Sequence, residues 1–226
     1  MAFTPAEAAE ARTGIVVDVL RATSTIAQAL GGGARRVLCC GEIEEAQELR
    51  AELGEGLLAG ERKCVRIPGF DRGNSPSEFV AADGDTVILT TTNGTRAIVA
   101  AALRCERVLA ASLLNLDAAV RTALAEEGDV AVFCAGVKGE FALDDAYVAG
   151  RLVERLGGQP TDAAAAALRL AASFASAEEG LRASQSARNL VAARLEDDIA
   201  WCARESLLDV VPRYVGMHGS AAEIAA

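Results

Sequence analysis

Short runs of wholly apolar residues recur through the first two-thirds of this chain, each followed by a stretch that favours helix. That alternation restricts the fold more than any other feature. Residues 14–17, 36–39, 86–90, 107–111 and 129–134 read as strands, with a shorter one at 57–59. Residues 22–30, 43–53, 95–103, 117–125 and 143–156 read as the helices between them. Such βα units build a largely parallel or mixed sheet. The strands are apolar at consecutive positions, so both sheet faces must be covered.

After Gly158 the pattern changes, and 162–174, 178–182 and 195–208 read as helical. The chain of 226 residues is expected to form a single α/β domain, 1–226. Residues 1–158 would supply the βα units and any site, and 159–226 a helical layer packed on them. Hydrophobic residues make up 51% and aromatic residues 4%, so the core must be built mainly from Ala, Val, Leu and Ile. Gly31-Gly32-Gly33 follows a helix and reads as a C-cap rather than a phosphate loop.

The net charge of −10 opposes binding to nucleic acid or an anionic membrane. A small anionic ligand is compatible with it, because local arginines can reverse the field in one cleft. No uncharged apolar run reaches the length of a membrane span. The opening MAFTPAEAAEAR has neither a basic start nor an apolar centre, so a cytoplasmic location is expected. Six cysteines form no CxxC pair, adjacent Cys39 and Cys40 point to opposite faces of a strand, and the chain has one histidine. Reduced thiols fit better than a zinc cluster.

Ligands of open α/β sheets bind beyond the carboxyl ends of the strands. Three such ends are unusually polar here: Asp18 to Thr25, Thr90 to Arg96, and Cys134 to Gly139 continuing to Asp144-Asp145. Each leads into a helix N-terminus, where free N–H groups favour an anion. Thr and Asn also serve as ordinary caps, and Asn-Gly as an ordinary turn. Three at equivalent positions, two carrying arginine, favour a shared site. Residues 61–79 read as a long functional loop concentrating Glu61, Arg62, Arg66, Asp71, Arg72, Asn74 and Ser75.

Familiar catalytic signatures are missing. No cysteine is followed by arginine at phosphatase spacing; Cys134 meets Glu140 there. No GxxxxGK[ST] or proper GxGxxG occurs. Leu20 replaces the second aspartate of an aspartyl-phosphate DxD motif beginning at Asp18. His218 is a poor phosphohistidine candidate. The carboxylates Asp18, Glu61, Asp71, Asp144 and Asp145 are hard oxygen ligands suited to Mg²⁺. Asp144 and Asp145 at a helix start are equally normal partners of the dipole.

These blocks, DVLRATSTI at 18–26, GER at 60–62, IPGFDRGNSPSEF at 67–79, TTTNGTRA at 90–97, the CAG segment running to Asp145, and SQSAR at 184–188, resemble the 2-phosphosulfolactate phosphatase family. The resemblance implies a three-layer α/β/α fold. It also implies Mg²⁺-dependent hydrolysis of 2-phospho-3-sulfolactate to 3-sulfolactate and phosphate, in the family a step toward coenzyme M. On this reading Asp18, Arg21 and Glu61 are catalytic, and Asp18, Asp71 and Asp145 hold the metal. Thr23, Ser24, Arg62, Asn74 and Ser75 would contact substrate. So would Thr91, Thr92, Asn93, Gly94, Thr95 and Arg96, together with Gly136 and Arg188. A homo-oligomer is an allowed assembly. The competing reading is a non-catalytic binding protein for a phosphorylated metabolite.

Overall fold

The apolar runs are strands in the computed structural model, which describes residues 1–7 and 9–226. β1 (Ala11–Val17), β2 (Arg36–Cys40) and β3 (Leu57–Arg62) are followed by the short β4 (Val65–Arg66). β5 (Thr86–Thr90), β6 (Cys105–Ala111) and β7 (Val130–Cys134) complete the βα part. Its helices are α1 (Ala22–Gly31), α2 (Ile43–Leu53), α3 (Gly94–Ala102), α4 (Leu116–Ala125) and α5 (Leu143–Leu156).

Consecutive apolar residues are required because the pleat sends neighbours to opposite faces. Val16 joins one core, beneath α1 and α3, while Ile15 and Val17 join the other, beneath α4 and α5. Cys39 and Cys40 are split in the same way, with Cys40 facing α2. The result is the expected three layers. Small residues let those layers approach closely: a Cβ on Gly150 of α5 would lie 2.1 Å from the Ala167 carbonyl oxygen. Gly32 does cap α1, and a Cβ there would lie 2.1 Å from the Phe79 carbonyl. No described helix is long and apolar enough to cross a membrane.

The C-terminal expectation needs correction. Helices α6 (Asp162–Ala171), α7 (Ala177–Arg182), α8 (Gln185–Ala192) and α9 (Glu196–Cys202) form the helical layer. It stops there. β8 (Arg213–His218) and β9 (Ala221–Ala225) form a hairpin through Gly219, whose φ is +61°. Ala-Ala-Glu-Ile-Ala has helix propensity, but pairing with β2 decides its conformation.

The sheet order is β4-β3-β5-β2-β9-β8-β6-β1-β7, so the hairpin lies between two parallel triplets. The β2–β9, β9–β8 and β8–β6 pairings are all antiparallel, which reverses the strand sense between the triplets. Neighbouring strands rotate by about 20–25°, so the five steps from β5 to β1 turn the sheet through roughly 100–125°. The β1 and β5 carboxyl ends nevertheless meet, because α3, which follows β5, packs against β1 and β6.

The stretch 61–79 is also more ordered than a long loop. β3 turns back at Lys63 and Cys64, both left-handed (φ 54° and 66°), and Pro76–Phe79 form a 3₁₀ turn. Neither Lys nor Cys is a turn-forming residue, which hid this hairpin in the sequence.

Candidate active site

The three polar strand ends meet. Gly94, at the start of α3, is packed against the end of β1: a Cβ there would lie 2.7 Å from Ala22 Cβ and 3.0 Å from Asp18 Oδ2. Asn93 Oδ1 accepts the Lys138 backbone N–H at 3.2 Å, joining the β5 end to the loop after β7. Asp145 ties that loop to β1. Its Oδ1 accepts Val19 N–H and its Oδ2 accepts Gly136 N–H, each at 3.0 Å. Gly136 has a φ of +65°, and a Cβ there would meet the Glu140 carbonyl at 2.3 Å.

Asp18, Asp144 and Asp145 form an acidic cluster at this junction. Burial raises the Asp18 carboxyl to about 7, with Asp144 and Glu61 adding repulsion. The Ala22 N–H and the charge of Arg21 act in the other direction. Burial likewise raises Asp144 to about 6, although Ser184 and Ser186 donate to its carboxylate. Asp145 is pushed well up by burial and then by its two acidic neighbours. Glu61 accepts the Cys64 N–H at 2.6 Å.

Several hydroxyls expected to meet substrate are tied into the fold. Thr23 Oγ1 accepts the Asp18 N–H at 3.1 Å, and Ser24 Oγ donates to the Val19 carbonyl at 2.8 Å. Thr95 Oγ1 donates to the Cys40 carbonyl at 3.3 Å, and Thr91 Oγ1 accepts the Thr95 N–H at 3.4 Å. Ser75 belongs to a buried set with Arg21. Asn74 is buried, its carbonyl accepts Thr25 Oγ1 at 2.9 Å, and its Oδ1 has no hydrogen-bond partner among the described residues.

The cations divide between floor, rim and outside. Arg21 is buried in the floor. Arg62 donates to the Gly41 carbonyl at 3.1 Å, beside the Cys40 carbonyl that Thr95 uses. Thr92 and Arg96 are exposed at the start of α3, and Arg96 makes no hydrogen bond or ion pair among the described residues.

Four of the residues singled out in the sequence lie elsewhere. Asp71 gives its carboxylate to the Leu58 N–H (2.8 Å) and to Arg50 (3.2 Å), so it fixes β3 to α2 rather than joining Asp18. Arg188 is exposed on α8 and bonds to Gln185 and the Ala183 carbonyl within its own segment. Arg66 is exposed and reaches only the Asp71 carbonyl, at 3.4 Å. Arg72, from the same loop, donates to the Glu78 carbonyl and lies 5.1 Å from the Phe79 ring centre, a fold contact. One participant went unnoticed in the sequence. Asp198 pairs with Arg21, but within Glu196-Asp197-Asp198 it reads only as a dipole partner of α9.

Asp18, Asp71 and Asp145 therefore do not form a metal cage. Among the described residues no group of three or more His, Cys, Asp or Glu is arranged as one. The donor chemistry still suits a hard cation at Asp18 and Asp144. Both are raised by burial, and Mg²⁺ uses few protein carboxylates. A cleft of about 520 Å³ lined by Arg12, Arg104 and Cys105 lies at the amino ends of β1 and β6, the opposite ends of those strands.

A family model described as 2-phosphosulpholactate phosphatase matches residues 2–217. A protein of Thermotoga petrophila named "Probable 2-phosphosulfolactate phosphatase" is 41% identical over 217 residues, covering 94% of this chain and 93% of that protein. Proteins with the same name from Symbiobacterium thermophilum (39% over 218 residues, 92% and 93%) and Thermus thermophilus (41% over 215 residues, 92% and 90%) are similar along almost their whole length.

Proposed function

The chain belongs to the 2-phosphosulfolactate phosphatase family, a family of phosphoric monoester hydrolases, and from that premise we propose that it hydrolyses 2-phospho-3-sulfolactate, or a similar small phosphorylated acid, with Mg²⁺ held by Asp18 and Asp144. One observation carries this reading. A cluster of carboxylates raised by burial and mutual repulsion stands where α1 and α5 begin, packed against Gly94 at the start of the helix that carries Arg96, an exposed arginine that makes no hydrogen bond or ion pair among the described residues. The first feature calls for a cation and the second for an anion, and a metal–phosphate pair supplies both.

Mg²⁺, when bound, would neutralise phosphoryl charge and stabilise the leaving oxygen. The chain does the rest. The N–H groups at the start of α3 and the Arg96 guanidinium bind the phosphoryl oxygens. Arg21 adds positive charge from the floor, and Arg62 lies at the rim for the remaining acid groups. Water attacks phosphorus, the bond from phosphorus to the ester oxygen breaks, and that oxygen takes a proton. Glu61, the acid beside Asp18 that is not committed to the metal, is the side chain left to move that proton. A non-catalytic binding protein would need the anion donors but not the acidic cluster.

The test is phosphate release from 2-phospho-3-sulfolactate and other small phosphorylated acids, before and after EDTA and with Mg²⁺ restored. Release should stop in EDTA and return with Mg²⁺. Full activity in EDTA removes the metal, and no release from any acid favours the binding protein.

A further inference from the structure

Arg21 follows Asp18 by three residues, and its charge reaches that carboxyl, yet among the described residues the two form no ion pair. Its partner is Asp198 on α9, 177 residues away in sequence, with Nη1 and Oδ2 2.6 Å apart. The two side chains are only 3% and 6% exposed, so water does little to screen them. Ser75 locks the pair: its hydroxyl donates to the same Oδ2 at 2.7 Å and accepts from Arg21 Nη1 at 3.2 Å. Nη2 donates to the Cys64 carbonyl at 3.3 Å. One guanidinium is thus held by residues 64, 75 and 198.

A buried guanidinium without a carboxylate is strongly disfavoured. If Asp198 were neutral, Arg21 would turn to Asp18, the acid that its charge already reaches. We propose that Asp198 is a positioning residue that holds Arg21 off Asp18, keeping Asp18 open to its ligand and the guanidinium fixed beneath the phosphoryl group. Asp198 itself touches no substrate. Through it the C-terminal helical layer takes part in the chemistry of the strand ends. This role rests on the phosphatase reading of the site.

Asp198→Asn keeps the shape and removes the charge. With 2-phospho-3-sulfolactate as substrate, its kcat per folded molecule should fall about ten- to a hundredfold, while KM stays within about threefold. Arg21→Gln should lose about as much, and the double variant no more than either. A purely structural role would lower the yield of folded protein but leave kcat per folded molecule unchanged. A kcat within twofold of the parent, or losses that multiply in the double variant, would overturn the proposal. Should Asp198→Asn not fold, Ser75→Ala tests the same lock: a drop of about threefold or more in kcat supports it, and no change refutes it. If the parent protein hydrolyses none of the phosphorylated acids, the phosphatase reading fails by itself. The pinning is then read from the Arg21 side-chain nitrogens by NMR: separate Nη signals that merge in Asp198→Asn support it, and signals already merged in the parent refute it.

Discussion

Asp18→Asn should abolish turnover and yet stabilise the metal-free protein at pH 8. The carboxyl titrates near 7 in the fold against an ordinary 3.8, a difference of about three units. At about 1.4 kcal/mol per unit, ionised Asp18 costs the fold at most ~4 kcal/mol. Asp18 keeps partial contact with water, and screening reduces this to ~2 kcal/mol. The folded value is the higher one, so the fold holds the proton better than the unfolded chain does. The penalty is absent below about pH 4, grows as pH rises from there to 7, and is complete above 7. Asparagine removes the charge, leaves no cavity, and keeps an oxygen for the Ala22 N–H that Asp18 Oδ1 accepts at 3.4 Å. For a chain of this size, ~2 kcal/mol corresponds to about 4–8 °C in Tm. Thermal unfolding in EDTA at pH 8 should show that gain, shrinking to below about 1 kcal/mol at pH 5. Adding Mg²⁺ should raise the parent protein and not the variant, closing the gap. A variant no more stable than the parent at pH 8, with the same difference at pH 5, would refute the reasoning.

Arg96→Ala should weaken substrate affinity or turnover by roughly ten- to a hundredfold, with Tm nearly unchanged, because its exposed guanidinium makes no hydrogen bond or ion pair among the described residues; a fall in Tm with unaltered kinetics would make it structural. Cys134→Ser should keep a substantial fraction of turnover, and iodoacetamide at pH 8 should leave Cys134 of the native protein unlabelled. Burial, with Asp145 next in effect, holds its thiol well above the usual range, and complete loss of activity in a folded variant would contradict this. Asp71→Ala should cost about 1 kcal/mol of stability through the Leu58 and Arg50 contacts while kcat stays within about twofold; a hundredfold loss of kcat would return Asp71 to the site.

The polar strand ends were legible because a sheet core has no use for them. Thr90 to Arg96 interrupts an apolar strand and an Ala-rich helix with groups that only a turn or a ligand explains, and the structure packs it against Asp18. What each group contacts was not legible. Thr23 and Ser24 look like ligand donors, yet their hydroxyls close the turn in which they stand. Asp71 sits in a motif-like stretch, but the backbone it follows carries it onto β3. Asp198 is one of three acids at a helix start, and only tertiary structure sets it apart. The layer order followed from alternation. The middle of the sheet did not, because residues 221–225 take their conformation from strands far away in sequence.

That central hairpin sets the order in which the molecule can be assembled. During synthesis β2 and β6 leave the ribosome long before β8 and β9, and until the hairpin arrives each is an open edge with unpaired N–H and C=O groups. The two triplets must wait as half-sheets, held by whatever α1 and α3 bury between them. Their joining needs contacts across nearly the whole chain, such as Val37 with Ile224, and contacts of such long range make folding slow. On the β6 side the seam is a single bridge, Leu109 to Arg213. A nascent chain stalled before residue 213 therefore presents two sticky edges at once, and each can pair with its counterpart on a neighbouring polysome chain.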